Sequence, residues 1–252
     1  MLSSFTVAAL DLVFPARCPV CDTTLGAGRR DPLCGTCWRA IIRLDVPWCE
    51  RCGAASIARV DDLTALLVAP RSIAACAACA THPPGYDYAR SAALYEGPLR
   101  EAIHALKFGR RRALASPLGD LTAQQCAVSL PDGIEALIPV PLARARERER
   151  GFNQAALLAR RVGWTLGIPI RPRWLARVRS TPPQSDLSAA ERRANVRDAF
   201  RASARVAGRH VLVVDDILTT GATLDACARA LRAAGARRVG ALTVARVVHA
   251  AV

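Results

Sequence analysis

The sequence predicts an α/β fold, a parallel sheet with helices on both faces, preceded by a small module stapled by cysteine-bound metal. Three observations predict it. Eight cysteines fall in four C-x-x-C pairs before residue 80. From Tyr86 onward, apolar runs of strand length alternate with segments of helical periodicity, the pattern of strands joined by right-handed helical crossovers. Finally, the apolar run Val211–Val214 stops abruptly at two acids, as expected of a central strand whose carboxyl end faces a ligand.

The first 85 residues are rich in cysteine and turn residues and show little sustained periodicity, so they form the first predicted domain, 1–85. The opening stretch MLSSFTVAALDLVFPARC reads as a short amphipathic helix docked on the body. It has no basic leader, and Asp11 breaks its apolar run, so it is not read as a secretion signal. No stretch reaches the ~18 apolar residues that a membrane span needs, since Arg71 interrupts the longest candidate. A cytoplasmic location is expected.

The pairs are Cys18/Cys21, Cys34/Cys37, Cys49/Cys52 and Cys76/Cys79. Two residues between thiols let both sulfurs reach one tetrahedral zinc at ~2.3 Å. One such pair also serves redox chemistry, but four predict two four-cysteine zinc sites. A disulfide framework would need an oxidising compartment. Sequential use of the pairs gives two ribbons, and an interleaved cross-brace is the other pairing; the ribbons are favoured. Four thiolates leave zinc no open position, so both ions are expected to be structural. His82 reads as a turn residue, and Cys126 and Cys227 as small buried hydrophobes.

The turn HPPG at 82–85 marks the boundary with the second predicted domain, 86–252. A strand is expected at 88–95, then a helix from Pro98 carrying Leu99, Ile103 and Leu106 on one face. Another helix is expected at 117–128, and a buried strand at 134–141. A basic loop leads to a helix over 152–167 that Gly167 ends. A short strand at 173–178 and a mobile polar loop at 179–198 follow. The strand at 210–216, the helix at 222–234 stopped by Gly235, and the strand at 238–247 complete the chain.

The formal charge of +14 rests almost wholly on arginine: of 35 basic residues only Lys107 is lysine. Counting eight thiolates and two zinc ions brings it to about +10. That surplus favours polyanionic ligands, whether a pyrophosphate, a nucleic acid or a lipid surface, without choosing among them.

After Asp215 and Asp216 comes Leu218-Thr219-Thr220-Gly221-Ala222-Thr223, and then a helix. Such a loop offers N–H groups and hydroxyls to a phosphate, and the helix dipole adds attraction. Adjacent acids would repel a bare phosphate. They suit a ligand that also presents a sugar diol, whose hydroxyls donate to carboxylates. The rival motifs G-x-x-x-x-G-K-[ST] and G-x-G-x-x-G are absent.

VLVVDDILTTGAT at 211–223 resembles the phosphoribosyl-pyrophosphate motif of type I phosphoribosyltransferases. The segments IPVPL (138–142), RERGFNQ (148–154), YEGPLREAIHALKFG (95–109) and Q-x-x-L-x-x-x-E-R-x-x-N (184–195), together with the cysteine pairs, resemble the ComF family. One departure is Arg110, where many relatives have a second glycine. The resemblance implies a type I phosphoribosyltransferase-like fold with an N-terminal double zinc ribbon. It implies that Asp215 and Asp216 hold the ribose hydroxyls and that Thr219, Thr220, Gly221, Ala222 and Thr223 wrap the 5′-phosphate, normally with Mg²⁺ on the pyrophosphate. Arg144, Arg148 and Arg150 are candidate pyrophosphate contacts, and Arg192 and Arg193 could reach inward from the 179–198 loop. Asn153 and Gln154 either cap the helix or touch the ligand.

In the 6-oxopurine salvage branch an acid of the phosphate loop serves the incoming base. Thr219 stands there, which disfavours that reaction, and the acceptor remains open. Two functions compete: transfer of phosphoribosyl to an unidentified nucleophile, or non-catalytic sensing of phosphoribosyl pyrophosphate or binding of single-stranded nucleic acid. The family resemblance implies a role in DNA uptake during competence, with single-stranded DNA and competence proteins as partners.

Overall fold

The computed structural model describes residues 16–26, 31–44, 48–54, 72–179, 196 and 198–247. The helix expected before residue 16 and the loop residues 180–195, Arg192 and Arg193 among them, lie outside the described residues.

The main sheet has four parallel strands in the order β3-β8-β7-β4: β3 is Tyr88–Leu94, β4 Ala136–Pro139, β7 His210–Leu218 and β8 Arg238–Arg246. Helices cover both faces, as a buried parallel sheet requires. Successive side chains of β7 point to opposite sides. Leu212 and Val214 pack with Leu99, Ile103, Leu118 and Leu158 from α3 (Gly97–Lys107), α4 (Ala115–Cys126) and α6 (Gln154–Leu166). Val211 and Val213 pack with Leu224, Cys227 and Leu231 of α7, Ala222–Ala233. These residues are all essentially inaccessible, so each strand residue removes its full apolar area from water.

Most expected elements form with ends shifted by one or two residues. Two differences bear on function. The strand expected to stop at Asp216 runs on to Leu218, because Ile217 and Leu218 continue the ladder with Ala245 and Arg246 of β8. The basic loop expected after Pro141 is a helix, α5, Arg144–Arg150, ended by Gly151 at φ 78°. Its run of arginine and glutamate is a good helix-forming composition, which polarity alone does not reveal. Short strands β5 (Leu175–Arg177) and β6 (Phe200–Ala202) pair antiparallel and brace the rim.

Asn153 settles an open alternative by capping α6: its side chain accepts from the N–H groups of Ala155 (3.0 Å) and Ala156 (3.4 Å). Its amide also donates to the Val140 carbonyl at 3.0 Å, pinning α6 to the end of β4. Arg110 explains why its position suits glycine: it is left-handed at φ 52° and is held by a bond from Nη2 to the Glu149 carbonyl (2.8 Å).

The cysteine-bearing segments are stitched to the sheet. Leu44 N–H donates to Ala92 O (3.0 Å) and Leu94 N–H to Ile42 O (2.8 Å), adding an antiparallel bridge along the outer edge of β3. Within the module, β1 (Trp48–Cys49) pairs with β2 (Ser72–Ile73), and α1 (Gly35–Arg39) and α2 (Ala77–Thr81) are single-turn helices. Gly53 comes so close that a Cβ would lie 2.4 Å from the Ala89 carbonyl. The turn at 82–85 links α2 to β3, yet Leu33, Ile41, Ala92 and Leu99 belong to one continuous core.

Candidate functional site

A cleft of about 420 Å³ opens at the carboxyl ends of β4 and β7, where open parallel sheets bind ligands. β7 supplies its floor. Asp216 is buried and Asp215 is partly exposed, because neighbours on a strand face opposite ways. The Asp216 N–H donates to Asp215 Oδ1 at 2.9 Å. Thr219 and Thr223 line the same cleft. Gly221, at φ 79°, makes the tight turn that starts α7, whose N-terminus therefore points at the loop. Thr220, Gly221 and Ala222 line an adjoining hollow of about 320 Å³, with His82 and Tyr86 opposite.

Positive charge surrounds the acids. At the end of α3, Lys107 Nζ lies 2.7 Å from Asp216 Oδ2, with both side chains largely buried. Arg146 and Arg177 line the walls. Arg150 donates to Gln154 Oε1 at 2.5 Å and sits 5.3 Å from the centre of the Phe108 ring. Burial pulls Arg150 and Arg177 below the ordinary arginine value. Burial, and then the charge of Asp216, push the Asp215 carboxyl up to about 8, against the opposing pull of Lys107. Along one wall, Tyr95, His104 and Phe108 follow one another, His104 meeting Phe108 edge-on, with His104 Nε2 3.0 Å from the Tyr95 hydroxyl.

The eight paired cysteines form two clusters, Cys18/Cys21/Cys34/Cys37 and Cys49/Cys52/Cys76/Cys79, the sequential pairing. Sulfur separations of 3.8 Å (Cys18–Cys37), 3.5 Å (Cys21–Cys34) and 3.7 Å (Cys52–Cys76) fit the ~3.8 Å edge of a tetrahedron with zinc at 2.3 Å. N–H groups point at the sulfurs, Cys37 to Cys34 and both Cys52 and Cys76 to Cys49. Burial would raise the Cys49 thiol, but these N–H groups outweigh it and bring it down to about 7. The residues fit structural zinc. His82 belongs to neither cluster and bonds to Thr81, as expected of a turn residue.

A double zinc ribbon family model matches residues 9–80, and a phosphoribosyl transferase domain model matches 149–251. The DNA utilization protein YhgH of Escherichia coli O157:H7 is 35% identical over 90% of this chain and 96% of its own. Competence protein F of Haemophilus influenzae is 30% identical over 92% of this chain and 98% of its own. The chain belongs to the ComF family. Competence protein ComFC of Bacillus subtilis is a further relative, 32% identical over 62% of this chain and 63% of its own.

In this ComF protein, Asp215, Asp216, Thr219 and Thr223 converge on the cleft, while Thr220, Gly221 and Ala222 face the hollow beside it. Of the arginines singled out in sequence none lines the cleft itself: Arg150 stands behind Gln154 and Phe108, which do, whereas Arg144 and Arg148 are exposed. The helical form of 144–150 is the reason. Residues 146 and 150 share one face at i, i+4, and 144 and 148 lie on the other. Arg146 would have followed from reading that segment as a helix. Lys107, Tyr95, His104 and Arg177 reach the cleft from elements distant in sequence. Tyr95, His104 and Lys107 lie in the segment 95–109 that carries part of the family resemblance, but nothing in the sequence placed them, or Arg177, at the cleft.

Proposed function

We propose that this ComF protein binds phosphoribosyl pyrophosphate in the β4/β7 cleft. The observation that carries the reading is one strand end holding both an acidic pair and a Thr/Gly loop that begins a helix, inside a cleft rimmed by arginine. Asp215 and Asp216 accept from the ribose hydroxyls; Thr219 to Thr223 take the 5′-phosphate through hydroxyls and N–H groups. Arg146, Arg150 and Arg177 face the pyrophosphate. Mg²⁺ fits beside Asp215, whose raised carboxyl calls for a positive partner, and it would neutralise charge on the departing pyrophosphate. Displacing pyrophosphate from the anomeric carbon passes through a cation-like state, so the residues chiefly position the reactants and exclude water.

The reading extends to a cytoplasmic protein acting in DNA uptake, supported by relatives named for DNA utilization and competence. Thr219, in place of an acid that would serve an incoming base, argues against 6-oxopurine salvage and leaves two readings, transfer to another acceptor or non-catalytic sensing. Calorimetry with phosphoribosyl pyrophosphate and Mg²⁺ tests the first claim. Wild type binds and Asp215→Ala/Asp216→Ala does not; equal binding by both removes the assignment. Pyrophosphate release across candidate acceptors, single-stranded DNA included, then separates enzyme from sensor.

A further inference from the structure

We infer that Lys107 is a shared counter-charge, holding Asp216 in the free protein and passing to the pyrophosphate once the ribose hydroxyls occupy the carboxylates. The inference rests on the ligand reading above and adds a residue and a step to it.

The argument starts from residue type. Every other basic side chain is arginine, so a lysine at this one position is a departure from the habit of the chain. The two are not equivalent. A guanidinium is a planar fork suited to fixed bidentate pairing, whereas an ammonium is a compact point charge on a flexible stem that can redirect its three donors.

Placement comes next. Lys107 ends α3, and its side chain is only 17% exposed, facing an Asp216 side chain that is 5% exposed. Asp216 Oδ2 has no hydrogen bond of good geometry among the described residues, although the ammonium stands 2.7 Å away. Lys107 therefore holds Asp216 by charge, off the hydrogen-bonding direction, and that leaves the oxygen's lone pairs open to a better-aligned donor. A buried carboxylate stripped of its partner would carry a heavy desolvation cost, so the pair must persist until another donor arrives.

The ribose diol is such a donor. Its hydroxyls hydrogen-bond to the carboxylates and satisfy the lone pairs that the ammonium left poorly served. The same ligand delivers a pyrophosphate into the cleft that Lys107 lines, together with Arg146 and Arg177. The other titratable and charged groups lining the cleft are Asp215, Tyr95, His104, Arg146 and Arg177, with Arg150 behind Gln154, so among the described residues no carboxylate beyond Asp215 lines the cleft to compete for the released ammonium. No bond is made or broken in this step; one ion pair is exchanged for another. Lys107 is a binding residue for the pyrophosphate and a positioning residue for Asp216.

The test compares two ligands that share the diol and 5′-phosphate and differ in the pyrophosphate. Wild type, Lys107→Met and Lys107→Arg are titrated with ribose 5-phosphate and with phosphoribosyl pyrophosphate at fixed Mg²⁺. In Lys107→Met the loss of affinity for phosphoribosyl pyrophosphate should exceed that for ribose 5-phosphate by ~10–100-fold, the worth of a charged hydrogen bond. Lys107→Arg, which keeps the charge without the mobility, should show a smaller difference of the same sign. Equal losses for both ligands would mean a purely structural role and overturn the inference, as would an unaltered affinity for phosphoribosyl pyrophosphate. If Lys107→Met fails to fold, judged by zinc content and melting, Lys107→Gln and Lys107→Arg carry the same comparison. Wild type binding neither ligand would instead overturn the cleft assignment itself.

Discussion

Replacing Asp215 with asparagine should stabilise the ligand-free protein at pH 8 while weakening its hold on phosphoribosyl pyrophosphate. In the fold the carboxyl is raised to about 8, from an ordinary 3.8, by burial and by the neighbouring Asp216. A group whose pKa rises on folding contributes stability that is present below its unfolded value and lost as pH climbs through the folded one. The wild type should therefore lose stability between about pH 4 and pH 8. At 1.36 kcal/mol per decade the full span bounds the loss at ~5–6 kcal/mol. The cleft is open to water on one side, and effective dielectric constants near such sites are high, so ~1–3 kcal/mol is the expected size. Asparagine keeps the shape and removes the charge, which also relieves Asp216. Melting curves at pH 5 and pH 8 test this: at pH 8 the variant should melt ~3–10 °C above wild type, and at pH 5 the two should converge. A wild type as stable as the variant at both pH values would refute the argument, because it would mean Asp215 ionises at no cost. The raised carboxyl is a local conflict of the kind that binding sites often carry.

Two further outcomes follow from the same structure. Metal analysis should find two zinc ions per chain, and Arg246→Gln should surrender one of them to a chelator with ~10–100-fold weaker retention, the usual worth of an outer-sphere partner. Arg246 donates to the Cys52 carbonyl at 2.5 Å and approaches its sulfur at 3.5 Å, offsetting the charge of that cluster alone. Asn153→Ala should cost ~1 kcal/mol through the lost cap of α6, with a melting shift of ~2–4 °C. It also frees the Val140 carbonyl, so a shift much below this would mean that the cap is idle.

What could be read in advance has a common basis: it depended on residues near one another in sequence. The run Val211–Val214 with its two acids placed a central strand and its ligand end, since a strand buried on both faces must be apolar throughout. Four C-x-x-C pairs gave both clusters, because two residues is the span of a zinc knuckle. Gly167 and Gly235 marked helix ends, and both adopt the positive φ that favours glycine. The segment 144–150 misled because its charged residues suit loop and exposed helix equally, and the error in form carried over to which arginines face the cleft. A short strand was expected at 173–178, where β5 forms, but its partner β6 escaped notice, since a three-residue strand carries no periodicity.

The sequence by itself determined the sheet, the cysteine clusters and the two contiguous parts of the cleft, the acidic pair and the Thr/Gly loop, all of them properties of contiguous chain. Only the tertiary structure decided what stands across from those parts. Lys107 meets Asp216 from 109 positions away in sequence, and Arg177 arrives from the rim. The edge of β3 takes up residues 42–44 of the cysteine module. The physical reason is that local pattern encodes which face of an element is buried, whereas long-range pairing of charges is set by how those faces pack. The electrostatics of the cleft exist only after the fold has formed.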